Sequence, residues 1–341
     1  MAAKVADVYV YYLRIFLARL KMTPRIEPYI GYGNSEVLRL NARVIMGSKR
    51  RKPNRLIRGF RTLFTSPVPN AKVSIRIDGG DEVYKFIADR GGYINALINV
   101  HLQPGWHKVE YALCGKFCAK QPVCASVLVL EEDGVGIISD VDDTVMVSMI
   151  PHALRAAWTM LFRNPKMRKT VPGMKEFYDF LGTHYSKRRQ KLDTLYVTSS
   201  PWNVEPSIRR FLGFNDYDDA PVIARDWGPT ENALFLWGAT SKYDAIEQLI
   251  RDFPCKKWIL VGDDGQKDPT IYRYIADKHT ASIEAVVIRQ LTPQEQILAH
   301  YFSTPYSTPS GLIVPVYYGP DGYNLIEQFK RNAPTQVSQL P

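Results

Sequence analysis

The chain has 341 residues, 45 % of them hydrophobic, which suits two domains with sizeable buried cores. Its 44 Lys and Arg against 34 Asp and Glu give a formal net charge of +10, a balance that favours acidic partners: nucleic acid, anionic membrane or phosphorylated substrates. No window approaches ~20 uninterrupted apolar residues, so a membrane-spanning helix is excluded.

Residues 1–28 are expected to hold an amphipathic helix. Leu13, Phe16, Leu17 and Leu20 recur at helical spacing over residues 3–21, beside Arg14, Arg19 and Lys21. Such a helix either docks on the rest of the chain or touches a membrane surface. The apolar run Val8 to Leu20 is broken by two arginines and lacks a small-residue cleavage site, so no signal peptide is expected. A cytoplasmic location follows, with peripheral contact on the inner face of a membrane as the extension.

Residues 29–132 read as a β-sandwich domain. Leu38–Val44 and Lys72–Ile77 alternate apolar and polar, and further strands fit Tyr93–Val100, His107–Leu113 and Ala125–Leu130. Asp78-Gly79-Gly80 and Gly91-Gly92 are turns. The basic run Lys49–Arg55 is a solvated loop or a contact for acidic head groups. Cys114, Cys118 and Cys124 lack zinc-site spacing and are expected to be reduced thiols, as is Cys255.

From residue 133 to 325 the pattern changes to short apolar strands alternating with helices. The strands are Val135–Ser139, Thr194–Thr198, Val222–Ala224, Trp258–Val261 and Ala285–Ile288; the helices include Lys175–Leu181, Glu205–Phe211 and Tyr243–Arg251. This is the signature of an α/β domain built on a doubly wound parallel sheet, whose site lies beyond the carboxyl ends of the strands. Residues 326–341 are expected to be a tail.

Reactive side chains follow those strands. The first ends in Asp140-Val141-Asp142-Asp143-Thr144. Carboxylates at i and i+2 leave an extended strand on one side, and they resist joint ionisation unless a cation lies between them or one keeps its proton. Magnesium would satisfy them, leaving Asp140 free to attack phosphorus and Asp142 to act as acid and base. The second strand runs into Thr198-Ser199-Ser200-Pro201, whose hydroxyls and amides can hold phosphoryl oxygens. Lys242 sits at a helix start, where a cation opposes the helix dipole and so suggests a partner such as Asp140. Gly262-Asp263-Asp264-Gly265-Gln266-Lys267-Asp268 follows the fourth strand and offers further metal ligands or orienting carboxylates. Each element alone reads as an ordinary turn, cap or solvated face.

Taken in order, these segments resemble the haloacid dehalogenase superfamily. Gly136–Thr144, Thr198–Asn203 and Val261–Pro269 resemble more narrowly the catalytic domain of the actin patch phosphatidate phosphatase family, which is distantly similar to the lipins. Pro28–Gly33 and Pro104–His107 resemble the N-terminal region of its bacterial members. The resemblance implies Mg²⁺-dependent conversion of phosphatidic acid to diacylglycerol. It assigns Asp140 as nucleophile, Asp142 as acid and base, Thr198 or Ser199 as phosphate binder, Lys242 as charge stabiliser, and Asp263 or Asp264 as metal ligand. Asp140, Asp142 and Asp268 join the expected metal set; Thr144, Ser200, Asn203 and Arg163 join the expected substrate contacts.

No large cap fits: Ser200 to Lys242 leaves room for one helix and one strand, and Thr144 to Pro172 holds a short insertion. That insertion mixes Met149, Trp158 and Phe162 with Arg163, Lys166 and Arg168, as either a membrane flap or a packed helix, and it contains His152. An anionic phospholipid substrate is the expected partner, and no nucleic acid is expected. The rival readings are a phosphoprotein or nucleotide phosphatase with the same chemistry, and a catalytically silent membrane-binding module.

Overall fold

A computed structural model describes residues 22–48, 66–115, 121–147, 169–186, 191–225, 239–265, 267–293, 295 and 314–332. The expected helix at 3–21, the basic loop at 49–55, Arg163 and the rest of the insertion at 148–168, and the end of the tail lie outside these residues.

Eight strands form the first sheet: β1 Met22–Pro28, β2 Gly31–Gly33, β3 Val37–Ser48, β4 Lys72–Ile77, β5 Tyr84–Ile87, β6 Tyr93–Asn99, β7 Gly105–Leu113 and β8 Val123–Val129. They are hydrogen-bonded in the order β1-β3-β2-β8-β7-β4-β5, with β6 on β3. All pairs are antiparallel except β2 with β8. Alternation drives the sheet: Val73, Ile75 and Ile77 of β4 face a core with Leu38, Leu40 and Val109, while the polar residues between them face out. Residues 22–28, assigned from sequence to the helical N-terminal segment, are instead an edge strand paired with Ala42–Ser48. Two prolines explain the misreading, because Pro is tolerated on a sheet edge and masks a strand pattern.

The second sheet is wholly parallel. It comprises β9 Val135–Ser139, β10 Asp193–Pro201, β11 Val222–Arg225, β12 Lys257–Asp263, β13 Ile283–Arg289 and β14 Val316–Gly319, in the order β11-β10-β9-β12-β13-β14. Helices α1 Met174–Tyr185, α2 Glu205–Phe214, α3 Ala239–Asp252, α4 Asp268–Lys278 and α5 Gly322–Asn332 accompany it. Successive strand residues point to opposite faces. Ile138, Leu260 and Ile288 pack with Ile246, Leu249, Tyr272 and Ile275 of α3 and α4. Ile137, Ile259, Val261 and Val287 pack with Phe177 and Leu181 of α1 and Leu325 and Phe329 of α5. With both faces covered, the strands read as continuous apolar runs.

The strand order reverses at β9: β10 and β11 lie on one side, β12 to β14 on the other. Such a reversal opens a crevice beyond the carboxyl end of the first strand. Asp140 is the first residue after β9.

Candidate active site

Four buried charged side chains meet beyond β9 and β12. Lys242, in the first turn of α3, donates to Asp268 Oδ1 at 2.6 Å and lies 2.9 Å from Asp140 Oδ1. Carboxylate oxygens of Asp140, Asp263 and Asp268 lie within 4.8 Å of one another, and all four residues are at most 3 % exposed. Thr144 bridges two of the acids, its hydroxyl 3.4 Å from Asp140 Oδ2 and 3.5 Å from Asp263 Oδ2. Gly265 donates its N–H to Asp263 Oδ1 at 2.7 Å.

Asp268 reaches this group through a gap that only glycine leaves. A Cβ on Gly262 would stand 2.5 Å from Asp268 Oδ2 and 2.7 Å from the Tyr272 ring. Asp268 opens α4, followed at once by Pro269, a first-turn residue whose missing N–H is not needed there.

The electrostatics describe a site short of positive charge. Burial pushes the Asp140 carboxyl up, with Lys242 opposing and Asp142 assisting. Burial, then Asp268, Asp140 and Asp143, pushes Asp263 well above the usual carboxylate range. Asp268 is pushed up to about 6 by burial, against the pull of Lys242. Burial alone would lower the Lys242 ammonium, but Asp140 and Asp268 outweigh it and hold its pKa above the ordinary lysine value. When all are ionised, three carboxylates and one ammonium leave two negative charges. Asp268 Oδ2 has no hydrogen-bond partner among the described residues. Hard oxygen donors, an unsatisfied buried oxygen and a two-charge deficit fit a divalent cation.

Asp142 stands apart from that group. Its Oδ2 accepts hydrogen bonds from Thr198 and Ser200, both at 3.2 Å, and its Oδ1 is buried without a partner among the described residues. β9 ends at Ser139, and directly beyond Asp142 the chain turns: Asp143 adopts φ 60° and its N–H closes on the Met146 carbonyl. Asp is one of the few residues that enters this left-handed region readily. By its hydrogen bonds Asp142 joins the hydroxyl loop, and it is not among the three acids whose oxygens cluster.

The hydroxyl loop is itself a break in the sheet. β10 pairs with β11 through Val197–Ile223 and again through Pro201–Arg225, so extra residues bulge out between them. Bulges re-aim side chains, and here Thr198 and Ser200 turn toward Asp142. Ser199 is half-buried and outside these hydrogen bonds. The side chain of Asn203 lies outside the described residues. Asp264, expected as an alternative metal ligand, faces elsewhere: its Oδ1 accepts the Leu291 N–H at 2.8 Å.

Two supports escaped the sequence reading. Arg289, the last residue of β13, donates to the Asp143 and Pro320 carbonyls and through Nη2 to both Glu295 carboxylate oxygens, bracing the acidic turn. It lies directly after an apolar strand, the same signal that picked out the acids. Ser139 contacts the buried Tyr178 hydroxyl at 2.6 Å and donates to the Asp140 carbonyl at 2.6 Å, fixing the backbone that carries Asp140. No helix among the described residues is long and apolar enough to cross a membrane.

Residues 135–290 match the family described as phosphatidate phosphatase APP1, catalytic domain. Over 157 residues the chain is 27 % identical to phosphatidate phosphatase APP1 of Saccharomyces cerevisiae, a match covering 46 % of this chain and 26 % of that protein. Over 171 residues it is 25 % identical to an uncharacterized protein of Schizosaccharomyces pombe, covering 49 % of this chain and 27 % of the other. The matched segment spans about a quarter of the length of these curated relatives. Among solved structures, a carbohydrate acetylesterase from Xanthomonas citri covers 82 % of this chain and 73 % of its own, at 10 % identity and a TM-score of 0.30. A likeness that low carries no argument.

Proposed function

We propose, from the match of residues 135–290 to the phosphatidate phosphatase APP1 catalytic-domain family, that this chain is a Mg²⁺-dependent phosphatidate phosphatase working through an aspartyl-phosphate on Asp140. The observation that carries the reading is the buried contact of Lys242 with both Asp140 and Asp268, beside Asp263. We read the parallel sheet, with its order reversal at β9, as a haloacid dehalogenase-like domain without a large cap, and the first sheet as a β-sandwich before it.

Asp140, Asp263 and Asp268 are the side chains that would hold Mg²⁺, which when bound neutralises charge between a carboxylate nucleophile and the phosphoryl oxygens. Lys242 holds Asp140 in place and offers a positive charge to the transferring group. An Asp140 oxygen bonds to phosphorus as the bond from phosphorus to the lipid oxygen breaks. Asp142 gives that leaving oxygen its proton, then takes one from the water that releases inorganic phosphate and regenerates Asp140. Thr198 and Ser200 orient Asp142 by their hydroxyls, and their loop lies where phosphoryl oxygens need donors. The basic balance of the chain suits an anionic lipid surface and a peripheral membrane location.

The test is phosphate release from phosphatidic acid in mixed micelles, with p-nitrophenyl phosphate and a phosphopeptide alongside. The lipid should be preferred, and Asp140→Asn should abolish turnover with folding intact. Release from every substrate except the lipid would overturn the substrate; near-normal Asp140→Asn activity would overturn the nucleophile.

A further inference from the structure

Residues 22–134 lie outside the family match, and sequence patterning leaves their task open. Among the described residues, the first sheet meets the parallel-sheet half at two places of particular interest. Each bears on an element that carries site side chains.

The first contact is aromatic. Tyr29, between β1 and β2, is 1 % exposed and stacks on Trp202 with ring centroids 4.6 Å apart and planes 29° apart. Tyr93 of β6 and Ala224 of β11 complete the cluster. Tyr29 is anchored from behind, its N–H donating to the Asn41 carbonyl of β3 at 3.0 Å. Trp202 follows the bulge that carries Thr198 and Ser200. Between Val197 and Pro201 the bulge is out of register with β11, and the ladder resumes only at Pro201–Arg225. The stack on Trp202 reinforces that single resumed pair at the residue directly after it.

The second contact is ionic. Arg39 of β3 donates through Nε and Nη2 to the two Asp252 carboxylate oxygens, at 2.6 and 2.8 Å. Asn34 donates to the Asp252 carbonyl at 2.8 Å, and Tyr32 packs in the core containing Phe253, Leu249 and Ile246. Asp252 is the last residue of α3, the helix whose first turn presents Lys242. A continuous helix transmits a shift at one end to the other.

We propose that the first sheet is the positioning scaffold of the catalytic rim, with Tyr29 holding the hydroxyl loop and Arg39 holding the lysine helix. Neither touches Asp140; both act through another element. As a statement about catalysis this rests on the phosphatase reading above, while the mechanical coupling does not. The Tyr29 hydroxyl is buried without a hydrogen-bond partner among the described residues, so its ring, not its oxygen, makes the contact.

The experiment is hydrogen–deuterium exchange on the full chain with steady-state kinetics on p-nitrophenyl phosphate, for wild type, Tyr29→Phe, Tyr29→Leu and Arg39→Gln. In Tyr29→Leu the amides of 198–202 should exchange about tenfold faster and kcat should fall about tenfold with KM little changed, the scale expected for one aromatic pair. Tyr29→Phe should match wild type in both. Arg39→Gln should speed exchange at the end of α3 and leave 198–202 unchanged. In wild type, the Tyr29 segment and 198–202 should open together, a comparison that needs no variant to fold. Separate opening of those segments, or Tyr29→Phe as damaging as Tyr29→Leu, would overturn the coupling. An intact exchange pattern without phosphate release from any substrate would instead overturn the phosphatase reading.

Discussion

Replacing Glu205 with Gln should make the protein more stable at neutral pH and remove a pH dependence that the wild type carries. Glu205 opens α2 and is 1 % exposed. Its only ionic neighbour within 4 Å among the described residues is Arg209, whose Nε is 3.4 Å from Oε1; neither atom makes a hydrogen bond among the described residues. Burial, abetted by Asp219 and Glu27 and opposed by Arg209 and Arg210, pushes the carboxyl up from 4.5 to about 7. Between those values the folded chain keeps a proton that the unfolded chain has released. The contribution to stability is therefore complete below pH 4.5 and is lost as pH rises toward and through about 7. At about 1.4 kcal/mol per pH unit the full loss is about 3 kcal/mol, of which about 2.5 kcal/mol falls between pH 5 and 8. Asp140, Asp263 and Asp268 act in the same direction, so the wild-type slope alone does not isolate Glu205. The difference between wild type and Glu205→Gln does. Urea unfolding followed by circular dichroism at pH 5, 6, 7 and 8 should show the gap widening in favour of the variant by about 2.5 kcal/mol. Parallel curves, or a gap that widens in favour of wild type, would refute the reasoning.

Lys242→Met should destabilise the metal-free protein by about 3–5 kcal/mol, because it strands Asp140 and Asp268 as buried carboxylates. Urea unfolding in EDTA measures this, and Mg²⁺ at about 100 times its Kd should stabilise the wild type by about 2.7 kcal/mol. Gly262→Ala should weaken Mg²⁺ binding in calorimetry and lower stability by about 1–3 kcal/mol, since its Cβ would displace Asp268 and Tyr272.

The parallel sheet was legible because its strands are buried on both faces, leaving unbroken apolar runs from Val135–Ser139 to Ala285–Ile288. Asp140 and Asp263 were legible for the same reason: each stands where such a run stops. What escaped lacks that contrast. β14 is only Val-Tyr-Tyr-Gly with an alternating burial, and α4 begins inside an acidic turn with Asp268-Pro269. The roles of neighbouring acids were not legible either. Choosing Asp263 over Asp264, or assigning Asp142 to the hydroxyl loop, depends on partners distant in the chain: the Leu291 N–H for Asp264, and Thr198 and Ser200 for Asp142. Ser139 and Tyr178 act through a backbone carbonyl or another side chain, and composition carries no signal of such contacts; Arg289 stands where an apolar run stops, but nothing in the sequence marks the carbonyls it braces.

The same geometry explains why the site needs support from outside its own sheet. Three acids, one just after β9, one ending β12 and one opening α4, are held together at the expense of their hydration, and Lys242 offsets only part of that repulsion. Left to local forces, the loops would separate to regain water. The acidic turn is tied by Arg289, the Asp140 backbone by Ser139 and Tyr178, the hydroxyl loop by Tyr29, and the lysine helix by Arg39. Each tie reaches an element that is rigid for reasons unrelated to the site: a sheet strand, a core helix or the first sheet. Repulsion among carboxylates thus becomes affinity for a cation, because the ties remove the alternative of moving apart.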